Sequence, residues 1–298
     1  MTSEPQPGDQ PGDQLPISFA IVGVQKAATS TLHSMLVRHR HIARGDAKEL
    51  HFFDDERLDW SAPDYGHYSV PRTDLGQLMA GDATPSYIWW PHALERMHRY
   101  NPDMRLIATF RDPIERAFSQ WSMERKRQPS YPSFSRSIEL FGDLSLIRGL
   151  PPGKTSREMR RAAMVVRGLY GEQLRRGLSV YGRSQWHLVP FRRFVAEPHA
   201  VLDDLAAFLG IGEWHQYPNQ RENPTPRDQV GPPPTADDML RLTEVYADDL
   251  AEFARLSGFD VTDWPTARIA DGTLDAADLA ADLARKVGLV PEDLPPGY

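Results

Sequence analysis

Apolar residues run almost without a break from Ile17 to Gly23. A run this short, closed by glycine, suits a strand buried on both faces, as in a parallel sheet. From Thr29 to His39 the period changes, and Leu32, Met35 and Leu36 fall on one helical face. The order strand, tight loop, helix recurs at Arg105–Phe110, followed by a helix from Ile114 towards Lys126. There Asp112 is a natural N-cap and Pro113 takes the first helical position. A third strand is expected over Trp186–Val189. The helix Pro198–Leu209 follows it, with Val201, Leu202, Leu205 and Phe208 as its inner face. Strands alternating with helices predict an α/β fold, a parallel β-sheet flanked by helices on both faces.

Outside this pattern the chain changes character. Residues 1–15 repeat Pro-Gly-Asp-Gln in tandem and have too little apolar surface to order themselves, so a disordered tail is expected there. Residues 127–158, rich in Pro, Ser, Gly and Arg, read as a long excursion, and 215–235 as a proline-rich loop. Ala236–Leu256 has a helical pattern. A linker is expected at Pro265–Ala270, then a short amphipathic helix within 271–287 that aligns Leu279, Leu283 and Val287. The expected organisation is a tail (1–15), one domain (16–264) and a C-terminal linker with its helix (265–298).

Composition narrows the function. The chain has 298 residues, 40% hydrophobic, enough for a full core, and a net charge of −7. That balance argues against a broadly basic nucleic-acid binder but permits a local cationic pocket. It has no cysteine, which removes disulfides, thiolate nucleophiles and cysteine metal sites. No apolar run approaches the length of a membrane span, and no signal peptide is visible, so a cytoplasmic protein is expected. Of 34 basic residues only five are lysines, at 26, 48, 126, 154 and 286.

Three segments carry candidate chemistry. Gly23 to Thr31 joins the first strand to the first helix and holds Lys26, Thr29, Ser30 and Thr31. Backbone N–H groups at a helix start, a lysine and three hydroxyls make a phosphate cradle, while an ordinary turn capped by Thr29 is the alternative. The lysine comes too early for a Walker A loop. Arg111 closes the second strand, where open α/β sheets bind ligands, and Ser119 lies two helical turns on. A guanidinium there suits phosphate, or else pairs with a carboxylate. Lys48-Glu49-Leu50-His51-Phe52-Phe53-Asp54 gathers acid, base and cation in a few residues. It also reads as a metal-ligand cluster or a solvated loop, though its spacing matches no zinc pattern.

Taken together, the three segments resemble the PAPS-dependent sulfotransferases, of the heparan sulfate type and its soluble bacterial relatives. Gly81-Asp82-Ala83-Thr84-Pro85-Ser86-Tyr87, the stretch from Tyr170 to Leu174, and Phe194–Pro198 running on to Gly210 extend the resemblance over roughly residues 17–264. It implies a P-loop-like fold and 3′-phosphoadenosine 5′-phosphosulfate (PAPS) as donor, with no metal. Residues Lys26, Ala27, Ala28, Thr29, Ser30 and Thr31 would hold the 5′-phosphosulfate, and Arg111 and Ser119 the 3′-phosphate. Arg167, Gly168 and Tyr170 would lie near the nucleotide, and Arg221 and Arg227 would belong to a loop closing over it. Glu49 corresponds to the catalytic base, with His51 and Asp54 as its neighbours and Lys26 neutralising the leaving group. Heparan-type relatives often carry lysine where this chain has Ala83, which argues against a polyanionic glycan acceptor. The acceptor would be a hydroxyl, or less readily an amine, of a sugar, lipid or small natural product. Aromatic residues Trp60, Tyr65, Tyr68, Tyr131, Phe134 and Phe141 either line it or pack locally. The competing readings are a nucleotide-dependent kinase and a non-catalytic nucleotide-binding module.

Overall fold

The computed structural model describes residues 14–45, 47–147, 156–219 and 231–289. In chain order, the first elements are β1 (Gln14–Gly23), α1 (Thr29–Leu36), β2 (Ile42–Ala43), β3 (Ser69–Pro71), β4 (Met79–Asp82), α2 (Ala93–Tyr100) and β5 (Arg105–Phe110). Next come α3 (Pro113–Arg127), α4 (Phe134–Leu140), α5 (Ser156–Ala162), α6 (Tyr170–Val180), β6 (Trp186–Pro190), α7 (Phe191–Ala196) and α8 (Pro198–Leu209). The last are α9 (Ala236–Ser257), α10 (Pro265–Ala270) and α11 (Ala276–Val287). The chain forms two compact units, Met1–Phe110 with Gly177–Glu222, and Arg111–Arg176 with Asn223–Tyr298.

The first unit holds the sheet. Its strands run β2-β4-β1-β5-β6, all parallel, and β3 adds antiparallel to the start of β1. Gln14 and Leu15, expected in the tail, instead pair with Pro71 and Val70, so order begins earlier than the composition suggested. Phe19 and Ile21 of β1, Ile107 of β5 and Val189 of β6 pack against Leu32, Met35 and Leu36 of α1 and Val201, Leu202 and Leu205 of α8. Phe208 lies at the rim of this cluster, while Leu209 takes the deep position expected of it. On the opposite face Trp186 packs so closely on Gly177 that an added Cβ would lie 2.6 Å from its ring and 3.4 Å from Leu94 of α2. Helices therefore cover both faces, as expected. The chain leaves β1 to one side and β5 to the other, so the carboxyl end of β1 lies at a topological switch point.

The second unit is helical. Asp112 caps α3 through the Glu115 N–H at 2.9 Å, and Pro113 opens the helix, as the sequence predicts. Pro265–Ala270 is not a linker but a helix: its proline occupies the first turn, where a missing N–H costs no hydrogen bond. Both α10 and α11 pack on α9 and α3. Asp249 of α9 accepts hydrogen bonds from Gly171 N (2.8 Å) and Glu172 N (2.9 Å), and so caps α6 from another helix. Among the described residues no helix is long and apolar enough to cross a membrane.

Burial lifts the Asp249 carboxyl from its ordinary 3.8 to about 7, against the backbone donors that lower it. Within that window the folded chain holds a proton that the unfolded chain has released. The group's contribution to stability is therefore full below the lower value and is lost as pH rises through the upper one. We expect the stability advantage of the wild type over Asp249→Asn, measured by urea unfolding, to shrink as pH rises from about 4 to about 7.

Candidate active site

The loop after β1 is shaped by close packing. An added Cβ at Gly23 would lie 2.6 Å from Ile88 Cγ2, so only glycine passes there. Beyond it, Val24 N donates to Thr109 O (2.9 Å), Ala27 N to Val24 O (3.2 Å), and Thr109 Oγ1 to Ala27 O (2.6 Å). Lys26 and Ala28 take left-handed backbone (φ 73 and 61). Ala28, not Thr29, is the N-cap of α1, and it offers no side-chain acceptor to the first-turn N–H groups. Those donors and the helix dipole face an anion's natural position. Thr29 is buried, Ser30 is exposed and Thr31 half-buried.

The Lys48–Asp54 segment meets the helix-start segment through one ammonium. Lys48 Nζ donates to Ser30 Oγ and to Glu49 Oε1, each at 2.7 Å. The other Glu49 oxygen lies 3.3 Å from His51 Nε2. His51 Nδ1 lies 3.0 Å from Asp54 Oδ2, which also accepts from Ser86 Oγ at 2.6 Å. The result is an unbroken chain from Ser30 through Lys48, Glu49 and His51 to the fully buried Asp54. Burial alone would raise the Glu49 carboxyl. Hydrogen bonds and charge from His51 and Lys48 outweigh it and lower the carboxyl from 4.5 to about 2. Both imidazole nitrogens thus face carboxylates.

In the sequence, the residues that hold this loop stand out only through the resemblance or as candidate aromatics, with no role as its support. Asp82, at the end of β4, has no exposed surface. It accepts from Tyr87 OH (2.8 Å), Tyr68 OH (2.9 Å), Thr84 Oγ1 (2.8 Å) and Leu50 N (3.3 Å). Tyr87 OH in turn accepts from Phe52 N at 3.0 Å, and Ala83 N donates to Lys48 O at 3.2 Å. Burial raises the Asp82 carboxyl, and the donors around it act in the opposite sense. The signal was present: Asp82, Thr84, Ser86 and Tyr87 all lie in one short block, but its sequence does not reveal which loop they grip. Ala83 itself is buried in the apolar cluster beneath the sheet and presents no polar group.

The other described donor candidates, Arg111, Ser119, Arg167 and Tyr170, lie in the second unit. Arg111, Glu115 and Ser119 recur every four residues. Glu115 and Ser119 are half-buried on α3 in a stretch otherwise buried from Asp112 to Ser122 and so share one face, while Arg111 precedes the N-cap. Arg111 Nη2 contacts Glu115 Oε2 at 3.3 Å. Arg167 is buried in a 3-10 turn, Val166–Gly168, and Tyr170 is fully buried at the start of α6, its hydroxyl pushed up by burial. Arg221 and Arg227 lie outside the described residues. Of the candidate acceptor aromatics, Tyr68, Tyr131 and Phe134 are buried, Tyr68 packing on Phe52, Phe53 and Tyr100. Trp60 lies under the Arg96 guanidinium at 4.2 Å.

With this geometry in view, comparison with known proteins is decisive. A profile of the sulfotransferase family matches residues 62–216. Over 194 residues, 64% of the chain, it is 32% identical to heparan sulfate glucosamine 3-O-sulfotransferase 6 of Mus musculus, 51% of which is covered. Over 231 residues, 73% of the chain, it is 30% identical to heparan sulfate glucosamine 3-O-sulfotransferase 3A1 of the same species, 54% of which is covered. The crystal structure of a sulfotransferase from Alicyclobacillus acidocaldarius superposes with a TM-score of 0.62 at 27% identity, covering 83% of this chain and 98% of that one. The chain belongs to the sulfotransferase family. It spans about half the length of the curated relatives it matches.

Tyr87→Phe should test the support of the acid–base loop. It removes a donor to buried Asp82 and an acceptor for Phe52 N, and leaving such groups unpaired costs about 1–3 kcal/mol each. We expect a lower urea midpoint together with faster amide exchange at residues 50–54. A variant that keeps wild-type protection there would show that the tyrosine hydroxyl does not hold the loop.

Proposed function

We propose that this protein is a PAPS-dependent sulfotransferase that moves a sulfuryl group to a hydroxyl of a sugar, lipid or small natural product. The observation that carries the reading is the Lys48 ammonium, which joins a hydroxyl of the helix-start loop to the Glu49 carboxylate. A donor phosphosulfate on that loop and an acceptor hydroxyl at Glu49 would lie beside one another.

In this scheme the acceptor oxygen attacks sulfur while the bond from sulfur to the 5′-phosphate oxygen breaks. The acceptor proton passes to Glu49, and 3′-phosphoadenosine 5′-phosphate departs. Lys26 and the first N–H groups of α1 stabilise charge growing on the departing oxygen. His51, itself held by Asp54, orients Glu49. Arg111 and Ser119 read the 3′-phosphate, which distinguishes this donor from ATP, and Arg167, Tyr170 and Arg227 complete nucleotide binding. Relatives named for heparan sulfate glucosamine support a hydroxyl of a glycan among the candidate acceptors. The buried Ala83 adds no cation that would favour a polyanion.

The test is incubation of acceptor extracts with PAPS, read by mass spectrometry as the gain of one sulfuryl group, in wild type and two variants. Glu49→Gln should reduce turnover by about 10²–10⁴-fold and leave bisphosphate affinity nearly unchanged. Lys26→Ala should damage both, because the ammonium meets phosphate before and during transfer. Near-normal turnover by Glu49→Gln would remove Glu49 from the chemistry.

The pH profile offers a second check. A base works ionised, so its acid limb in kcat/KM falls at its own pKa in the free enzyme. With Lys48 and His51 beside it, Glu49 places that limb near 2. Removing Lys48 leaves burial opposed by His51 alone. Lys48→Met should therefore raise the limb by about 1–3 pH units, towards the measurable acid range. An unmoved profile would count against Glu49 as the base.

A further inference from the structure

Glu115 sits in the first turn of α3 with a cation on either side. Its Oε2 lies 3.3 Å from Arg111 Nη2, and its Oε1 lies 3.0 Å from Nζ of Lys286, in the last turn of α11. The Glu115 side chain is only 13% exposed. Burial would raise its carboxyl, but Arg111 and Lys286 together bring it below the ordinary 4.5. A second contact grips the same turn: Thr266 N of α10 donates to Asp112 Oδ2 at 2.8 Å, while Asp112 Oδ1 caps α3. The helices α10 and α11 lie beyond residues 62–216, the segment matched by the family profile.

An arginine paired to a single carboxylate forms a neutral unit with little attraction for a phosphate dianion. A second cation on that carboxylate changes the sum. Arg111, Glu115 and Lys286 carry one net positive charge, so the group as a whole attracts an anion. We infer that Lys286 is a positioning residue for the donor: by sharing Glu115 it keeps Arg111 cationic towards a 3′-phosphate. The C-terminal helices thus belong to the donor-binding apparatus. This inference rests on the proposed reading of Arg111. It also accounts for a third of the chain's five lysines, after Lys26 and Lys48.

The experiment is calorimetric titration of the full chain with 3′-phosphoadenosine 5′-phosphate and with AMP. It compares wild type, Arg111→Ala, Lys286→Met, Lys286→Arg and the double variant Lys286→Met/Glu115→Gln. Lys286→Met should weaken the bisphosphate about three- to tenfold and leave AMP unchanged. Lys286→Arg should stay near wild type. Removing Glu115 as well should restore bisphosphate affinity, because the carboxylate that Lys286 offsets is gone. A merely structural role for Lys286 predicts loss towards both ligands and no restoration. If Arg111→Ala loses bisphosphate affinity but Lys286→Met does not, or the double variant stays as weak as Lys286→Met, the inference falls and the reading of Arg111 stands. If Arg111→Ala binds both ligands as the wild type does, that reading falls, and the inference with it.

Discussion

The buried carboxylate of Asp82 is the fixed point of the first unit. A charge removed from water is tolerated only where donors replace its hydration. Here two phenols, a hydroxyl and the Leu50 N–H surround it. Because Asp82 ends β4 and pairs in register with Ala20 of β1, the loop that it holds is indexed to the sheet. The loop after β1 is indexed to the same sheet by its bonds to Thr109 of β5. Ser30 and Glu49 can share one ammonium because both segments are tied to neighbouring strands, and a slip in either would separate them.

Each unit places a carboxylate between two groups that hold it ionised. Glu49 lies between Lys48 and His51, and Glu115 between Arg111 and Lys286. In both, burial raises the carboxyl and the flanking groups more than offset it. The roles differ. At Glu49 the flanking groups keep the acid ionised, as the proposed role of base requires. At Glu115 the acid serves its neighbours, fixing their geometry while leaving the group cationic overall. Local charge balance of this kind lets an acidic chain of net charge −7 keep local cationic positions.

Local signals in the sequence carried the framework, and distant contacts hid the rest. Continuous apolar runs marked β1, β5 and β6, and Asp112 with Pro113 marked the start of α3, since each depends on adjacent residues. Pro265 misled because the same residue that breaks a helix interior also opens one. Gln14 and Leu15 read as tail because their order comes from pairing with β3, far along the chain. At the site, Lys26, Glu49 and His51 drew attention by residue type, and the resemblance supplied their expected roles. The roles of Asp82, Tyr87, Asp249 and Lys286 were not legible, because each acts on a partner dozens of residues away or more. A lone aspartate or lysine has no local mark that tells which partner it will meet.

The left-handed backbone at Lys26, Ala28 and His51 has an evolutionary consequence (φ 73, 61 and 52). A side chain in that region carries a cost of about 1–2 kcal/mol that glycine avoids. Selection for stability alone would drift all three positions towards glycine. At Ala28 nothing but a methyl group opposes the drift. At Lys26 and His51 the drift would erase an ammonium and an imidazole. A lineage of this fold that had stopped doing chemistry would be expected to record it there first, as glycines in two short loops of an otherwise unaltered sheet.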